Sequence, residues 1–190
     1  MPPFLADDVE HCLSVGAADG RTGQIVTEVR HTLDRARDLG ALSTHELAGL
    51  EELAADLPRL LAEIDACGLP DTLVHGDLHP GNWRRDGANL TLLDWGGSRI
   101  GNPALDLRAF VERISDAGQQ ERARSVWADA WRRQVPGCDP ARAIELIEPV
   151  AQLCAATAYQ HVLDHIEQAE RPYHALDPGE RLRAALAAGG

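Results

Sequence analysis

The chain has 190 residues, 44% hydrophobic and 25% charged; this is the composition of a globular domain and excludes a linker or a low-complexity segment. No apolar run approaches the roughly 20 residues that a membrane span needs, and a net charge of -12 argues against nucleic acid or an anionic membrane as partner, because both are met through basic patches. All 18 basic residues are arginine, and the acidic excess weakly favours a cationic small molecule.

The opening "MPPFLADDVEHC" lacks a basic stretch followed by an apolar core, so no secretory signal is expected. Cys12, Cys67, Cys138 and Cys154 show no CxxC spacing and are read as reduced thiols, which makes the expected location cytoplasmic. Residues 1–23 form a terminal segment that closes on the Gly-rich turn "GAADGRTG". Beyond it, Ile25, Val26, Val29, Leu33 and Ala36 recur at helical spacing and predict a helix over about 24–39, ended by Gly40. "STHE" then offers Ser43 and Glu46 as a capping box for a second helix reaching about Cys67. Pro58 is expected to kink or restart that helix, and Gly68 and Pro70 to stop it.

From Thr72 the pattern changes. "TLV" and "LTLLDW" are short β-prone runs, with the turn sequence "RRDGAN" before the second, and they predict two short strands flanking the loop "VHGDLHPGNW". After Gly96, Gly97 and Gly101, "NPALDLRAFVERI" predicts a helix with Pro103 in its first turn. Residues 117–134 and 140–168 predict two more, the second kinked at Pro149, and "RPYHALDPGE" predicts a loop before a short final helix. The fold class expected is mainly α with a small β-hairpin region, an α+β arrangement.

The chemistry concentrates in "LVHGDLHPGNWRRDGANLTLLDWGGSRIGNPALDL". Asp77, Asn82 and Asp94 carry oxygens that this spacing lets converge at one strand-end edge. A hard cation such as Mg²⁺ takes few oxygens from a protein and keeps the rest of its shell for water and substrate phosphate. Asn82 and Asp94 fit that role, and an Asp77 held off the metal can accept a proton from an attacking hydroxyl.

This ordered set resembles the aminoglycoside phosphotransferase and choline kinase-like family, small-molecule relatives of the protein kinases. The family pattern is H-x-D-x-x-x-x-N, then an apolar strand ending in Asp, then G-x-P-x-x-D-L. "HGDLHPGN" supplies His75, Asp77 and Asn82; "LLDW" supplies Asp94; "GNPALDL" supplies Gly101, Pro103 and Asp106. The resemblance implies that Asp77 is the catalytic carboxylate, that Asn82 and Asp94 hold Mg²⁺, and that His75 and Asp106 organise the loops. It implies ATP as donor and a small-molecule hydroxyl as acceptor, for which aminoglycosides and amino alcohols are the cationic candidates.

The resemblance covers roughly residues 20–190 and corresponds to the C-terminal lobe of a protein kinase-like fold. It divides the chain into a helical subdomain over 24–70, catalytic and metal-binding loops over 71–106 and a helical bundle over 107–190. The family's nucleotide lobe, with a strand lysine for the phosphates, is expected to be missing and encoded upstream, and the chain contains no lysine. A truncated chain without turnover of its own is therefore the expectation, and a non-catalytic ligand- or metal-binding pseudokinase module is the alternative. Arg84, Arg85 and Arg99 are the cations that could replace the lysine.

Other residues invite simpler readings. His79 supports the loop or acts directly. His161 and His165 lie one helical turn apart without a third ligand or a Glu base, which favours a surface or core pair over a zinc site. Trp127 and Trp131, at i and i+4, are core residues or, as a lesser reading, a wall of the acceptor pocket.

Overall fold

The computed structural model describes residues 8–38 and 42–189. Gly40, the expected stop of the first long helix, lies outside the described residues. The chain is mainly helical with five short strands among the described residues. In order these are α1 (Val9–Ser14), β1 (Ala18–Asp19), α2 (Thr22–Asp38), α3 (Thr44–Ala66), β2 (Thr72–Val74), β3 (Trp83–Asp86), β4 (Asn89–Leu92), β5 (Arg99–Gly101), α4 (Ala104–Glu112), α5 (Ala117–Gln134), α6 (Pro140–His165), α7 (Arg171–His174) and α8 (Asp177–Gly189). Two 3₁₀ turns, Pro80–Asn82 and Trp95–Gly97, interrupt the strand region.

The chain divides into two compact units, each discontinuous in sequence: Met1–Arg21 with Ile64–Ile147, and Thr22–Glu63 with Glu148–Gly190. Both long helices, α3 and α6, contribute to both units. In the second unit Val29 and Leu33 of α2, Leu50 and Leu57 of α3, and Leu153 of α6 are buried. The start of α3 is closed by the anticipated capping box: the N–H of Ser43 donates to Glu46 Oε2 at 2.7 Å and the N–H of Glu46 donates to Ser43 Oγ at 3.2 Å. α3 runs through Pro58 without restarting, and α6 runs through Pro149. Each proline costs the helix roughly 3 kcal/mol, and the buried neighbours Leu57, Leu60 and Leu61, or Ile147, Val150 and Ala151, offset it.

The first unit contains both sheets. β1, β5 and β2 form a mixed three-stranded sheet in the order β1-β5-β2, with β2 antiparallel to β5 and Val74 opposite Arg99. β3 and β4 form a separate hairpin, with Trp83 opposite Leu92 and Asp86 opposite Asn89. This corrects the sequence expectation in two respects. "TLV" and the strand of "LTLLDW" do not belong to one sheet, and four of the six residues of "RRDGAN" are strand rather than turn. The turn proper is Gly87–Ala88; Gly87 has φ of +58°, the conformation that favours Gly first in a two-residue hairpin loop.

"RPYHALDPGE" is also more ordered than expected, since α7 occupies its start and α8 begins at Asp177. α5 spans Ala117–Gln134 as predicted. Its Trp127 and Trp131 meet edge to face with ring centroids 6.0 Å apart and pack against the buried Cys67, Leu69 and Ala143. Among the described residues no helix is long and apolar enough to cross a membrane.

Candidate active site

Three segments of the first unit meet at the site: the loop after β2, the turn after β4 and the first turn of α4. β2 delivers His75, which is only 1% exposed. Its backbone N–H donates to Asp106 Oδ2 at 2.6 Å, and the N–H of Gly76 donates to Asp106 Oδ1 at 3.0 Å. One carboxylate therefore satisfies two consecutive loop amides that would otherwise be left unpaired. Asp106 itself is positioned by the start of α4, where Asn102 Oδ1 accepts the N–H of Ala104 at 3.0 Å. Burial pushes the Asp106 carboxyl above its ordinary range, against the pull of the two amides.

Gly76 is demanded by this geometry. Its φ is +82°, and a Cβ there would overlap the carbonyl oxygen of Gly97. In the sequence Gly76 was only the spacer between His75 and Asp77; the Gly96–Gly97 pair was the available hint of a close backbone approach.

The His75 ring joins the same two segments. Its Nε2 donates to the carbonyl of Leu93 at 2.8 Å, and its Nδ1 accepts the N–H of Asp77 at 3.3 Å. The Trp95 ring lies against it, with centroids 4.8 Å apart. The N–H of Leu93 donates to the carbonyl of Asn82 at 2.8 Å. Leu93 is thus held on both sides, and Asp94 follows it immediately. Asp94 stands two residues beyond the end of β4 at φ 62°, ψ 64°, and is the non-glycine residue with positive φ among those described. Left-handed backbone costs an ordinary residue roughly 1–2 kcal/mol, and Asp is among those that tolerate it best. A Cβ at Gly96 would touch Asp94 Oδ1 at 3.5 Å, so glycine there keeps that oxygen uncovered.

Asp77, like Asp94, is exposed, its side chain 59% so. Asn82 Nδ2 donates to the Asp77 carbonyl at 3.0 Å and lies 3.5 Å from Asp77 Oδ2. The amide nitrogen is used inside the loop, and the amide oxygen is the atom left for a cation. His79 Nε2 lies 3.4 Å from the same Oδ2. The structure therefore brings Asp77, His79 and Asn82 into direct contact and links Asp94 to them through the backbone of Leu93. An amide oxygen and a carboxylate fit a hard, oxygen-seeking ion that keeps water and phosphate in its shell. Among the described residues no three His, Cys, Asp or Glu side chains gather into a closed metal site.

The remaining candidates sit elsewhere. Arg84 donates to the carbonyls of Gly81 and Trp83 at 2.9 and 3.0 Å, and Arg85 to that of Gly87 at 3.2 Å, so both turn onto their own hairpin. The stem of Arg99 lies where a Cβ on Gly20 would be. His161 and His165 form an exposed pair on α6 in the second unit, rings 4.2 Å apart, with His165 Nδ1 donating to the His161 carbonyl at 2.8 Å.

Comparison with known proteins adds to this geometry. The model of the phosphotransferase enzyme family, APH, matches residues 11–146, a stretch that includes every residue of the site. The chain belongs to the phosphotransferase enzyme family. Its fold is similar to that of macrolide 2'-phosphotransferase type I, with a TM-score of 0.52 and 22% identity over 94% of this chain and 52% of that one. A choline/ethanolamine kinase family protein from Mesorhizobium loti aligns with a TM-score of 0.45 and 16% identity, over 84% of this chain and 56% of that one. This family member thus spans about half the length of these two solved structures. No curated protein matches it.

Proposed function

We propose that this chain carries the hydroxyl-activating and metal-holding part of an ATP-dependent phosphotransferase that acts on a hydroxyl of a small molecule. The observation that carries the reading is the group formed by Asp77, Asn82 and Asp94: an exposed carboxylate beside an amide oxygen, tied through Leu93 to a second carboxylate. Asp77 takes the proton of the acceptor hydroxyl as the oxygen attacks the terminal phosphate of ATP, whose bond to the bridging oxygen breaks to release ADP. Asn82 and Asp94 would hold Mg²⁺, which when bound supplies neutralisation of phosphate charge. His75 and Asp106 keep the two loops in register. The acidic excess of the chain supports a cationic acceptor such as an aminoglycoside or an amino alcohol, handled in the cytoplasm.

The absence of lysine from the chain favours a second reading, a binding module without turnover. In the first reading the cation for the nucleotide phosphates comes from an arginine of this chain or from sequence outside these 190 residues, such as an upstream nucleotide lobe. One experiment separates them: calorimetric titration of the 190-residue chain with Mg²⁺ and ATP, followed by ADP release with a panel of aminoglycosides, choline and amino alcohols. Nucleotide-dependent Mg²⁺ binding that is lost in Asp94→Ala is expected; unchanged binding in that variant refutes the metal assignment. Acceptor-dependent ADP release that falls about 10²–10⁴-fold in Asp77→Asn establishes the phosphotransferase reading. Binding without release from any acceptor favours the module.

A further inference from the structure

The phosphotransferase reading leaves His79 without a task, although its ring is tied into the loop. His79 has an extended backbone and stands just before the 3₁₀ turn Pro80–Asn82, where its carbonyl accepts the N–H of Asn82 at 3.0 Å. Its Nδ1 accepts the N–H of Gly81 at 3.0 Å. A nitrogen that accepts carries a lone pair, so in the neutral ring the proton is on Nε2. That N–H is the atom 3.4 Å from Asp77 Oδ2.

Gly81 makes this placement possible. A Cβ at position 81 would stand 2.6 Å from Cε1 and 2.8 Å from Nδ1 of the ring, so a larger residue would drive the imidazole out of place. The second donor at the same carboxylate oxygen is Asn82 Nδ2, at 3.5 Å. Two N–H groups therefore approach Oδ2, at 3.4 and 3.5 Å, just beyond the roughly 2.7–3.2 Å of an ordinary N–H···O bond. Among the described residues no donor reaches Oδ1. The two oxygens of Asp77 are inequivalent: two N–H groups approach one, and the other accepts no hydrogen bond from the described residues.

We infer that His79 is a positioning residue, aligned by Gly81, that holds Asp77 Oδ2 and leaves Oδ1 to receive the proton of the acceptor hydroxyl. This rests on the proposed role of Asp77. His79 keeps its Nε2 proton throughout; the hydroxyl proton passes to Oδ1 as the hydroxyl oxygen bonds to the terminal phosphorus of ATP and the bond from that phosphorus to the bridging oxygen breaks, releasing ADP. An aspartate that is 59% exposed would otherwise rotate freely about χ2, and a base that rotates freely loses the alignment on which much of such a rate depends.

The test uses NMR on the 190-residue chain. Long-range ¹H–¹⁵N spectra identify the tautomer of His79, whose resonances are assigned by their loss in His79→Gln. The Nε2–H tautomer is expected, with an Nε2 resonance that shifts in Asp77→Ala. The carboxyl ¹³C resonance of Asp77 should in turn move in His79→Ala and return towards its wild-type position in His79→Gln, whose amide can both accept from Gly81 and donate to Asp77. An Nδ1–H tautomer overturns the inference, as does a pair of resonances indifferent to each other's substitution. Backbone amides of α5 serve as the check that each variant is folded. Neither measurement needs turnover, so failure of the phosphotransferase reading is seen separately, in the ADP-release assay.

Discussion

The imidazole of His75 donates to the carbonyl of Leu93 at 2.8 Å, and this bond ties the loop bearing Asp77 to the residue that precedes Asp94. The two residues are 18 positions apart and lie beyond strands of different sheets. In His75→Ala the Leu93 carbonyl and the Asp77 N–H lose their partner and a buried ring leaves a void. We expect a loss of at least about 2 kcal/mol, since a buried unpaired group alone costs about 1–3 kcal/mol. Urea unfolding of the variant measures it; a midpoint equal to wild type would mean that the loops hold each other without this bond.

Asp106 offers a graded version of the same experiment. Asp106→Ala strands the N–H groups of both His75 and Gly76, whereas Asp106→Asn retains one acceptor oxygen. Thermal unfolding should rank wild type above Asp106→Asn and Asp106→Ala lowest, with about 1–3 kcal/mol for the stranded amide of buried His75 and less for that of exposed Gly76. Equal stability of the two variants would contradict the two-amide grip.

Gly76 and Gly87 both have positive φ, at 82° and 58°, but only Gly76 is crowded, by the Gly97 carbonyl. Nothing lies within 4 Å of a Cβ at Gly87. Gly87→Ala should therefore cost about 1–2 kcal/mol of backbone strain, and Gly76→Ala clearly more, because the Trp95–Gly97 turn must also move. Chemical denaturation of the two alanine variants compares them directly.

Glu46 ties stability to pH. The backbone N–H and the hydroxyl of Ser43, followed by Arg183, hold its carboxyl at about 2, against an ordinary 4.5. A depressed folded value means that the unfolded chain binds the proton first as pH falls. The contribution is present above pH 4.5 and is lost as pH falls towards 2. Glu46→Gln should lower the unfolding midpoint at pH 7 and approach wild type near pH 2; a constant difference across that range would remove ionised Glu46 from the account.

Much of this could be read from the residues in order. The capping box of Ser43 and Glu46 and the span of α5 depend on bonds or spacings within a few residues, and a few residues suffice to reveal them. The ordered set His75, Asp77, Asn82, Asp94 and Asp106 was likewise legible, because each type is chosen for what its side chain can do. Tertiary structure alone decided which of their atoms meet. β2 pairs with Arg99–Gly101, three residues with no periodicity to announce them; Asp106 reaches amides some thirty positions away; Gly76 needs its missing Cβ because of a carbonyl at Gly97. The physical reason is range. Periodicity and capping are properties of a short window of chain, whereas these contacts exist only after long loops close, and the shape that closes them is written across the whole unit.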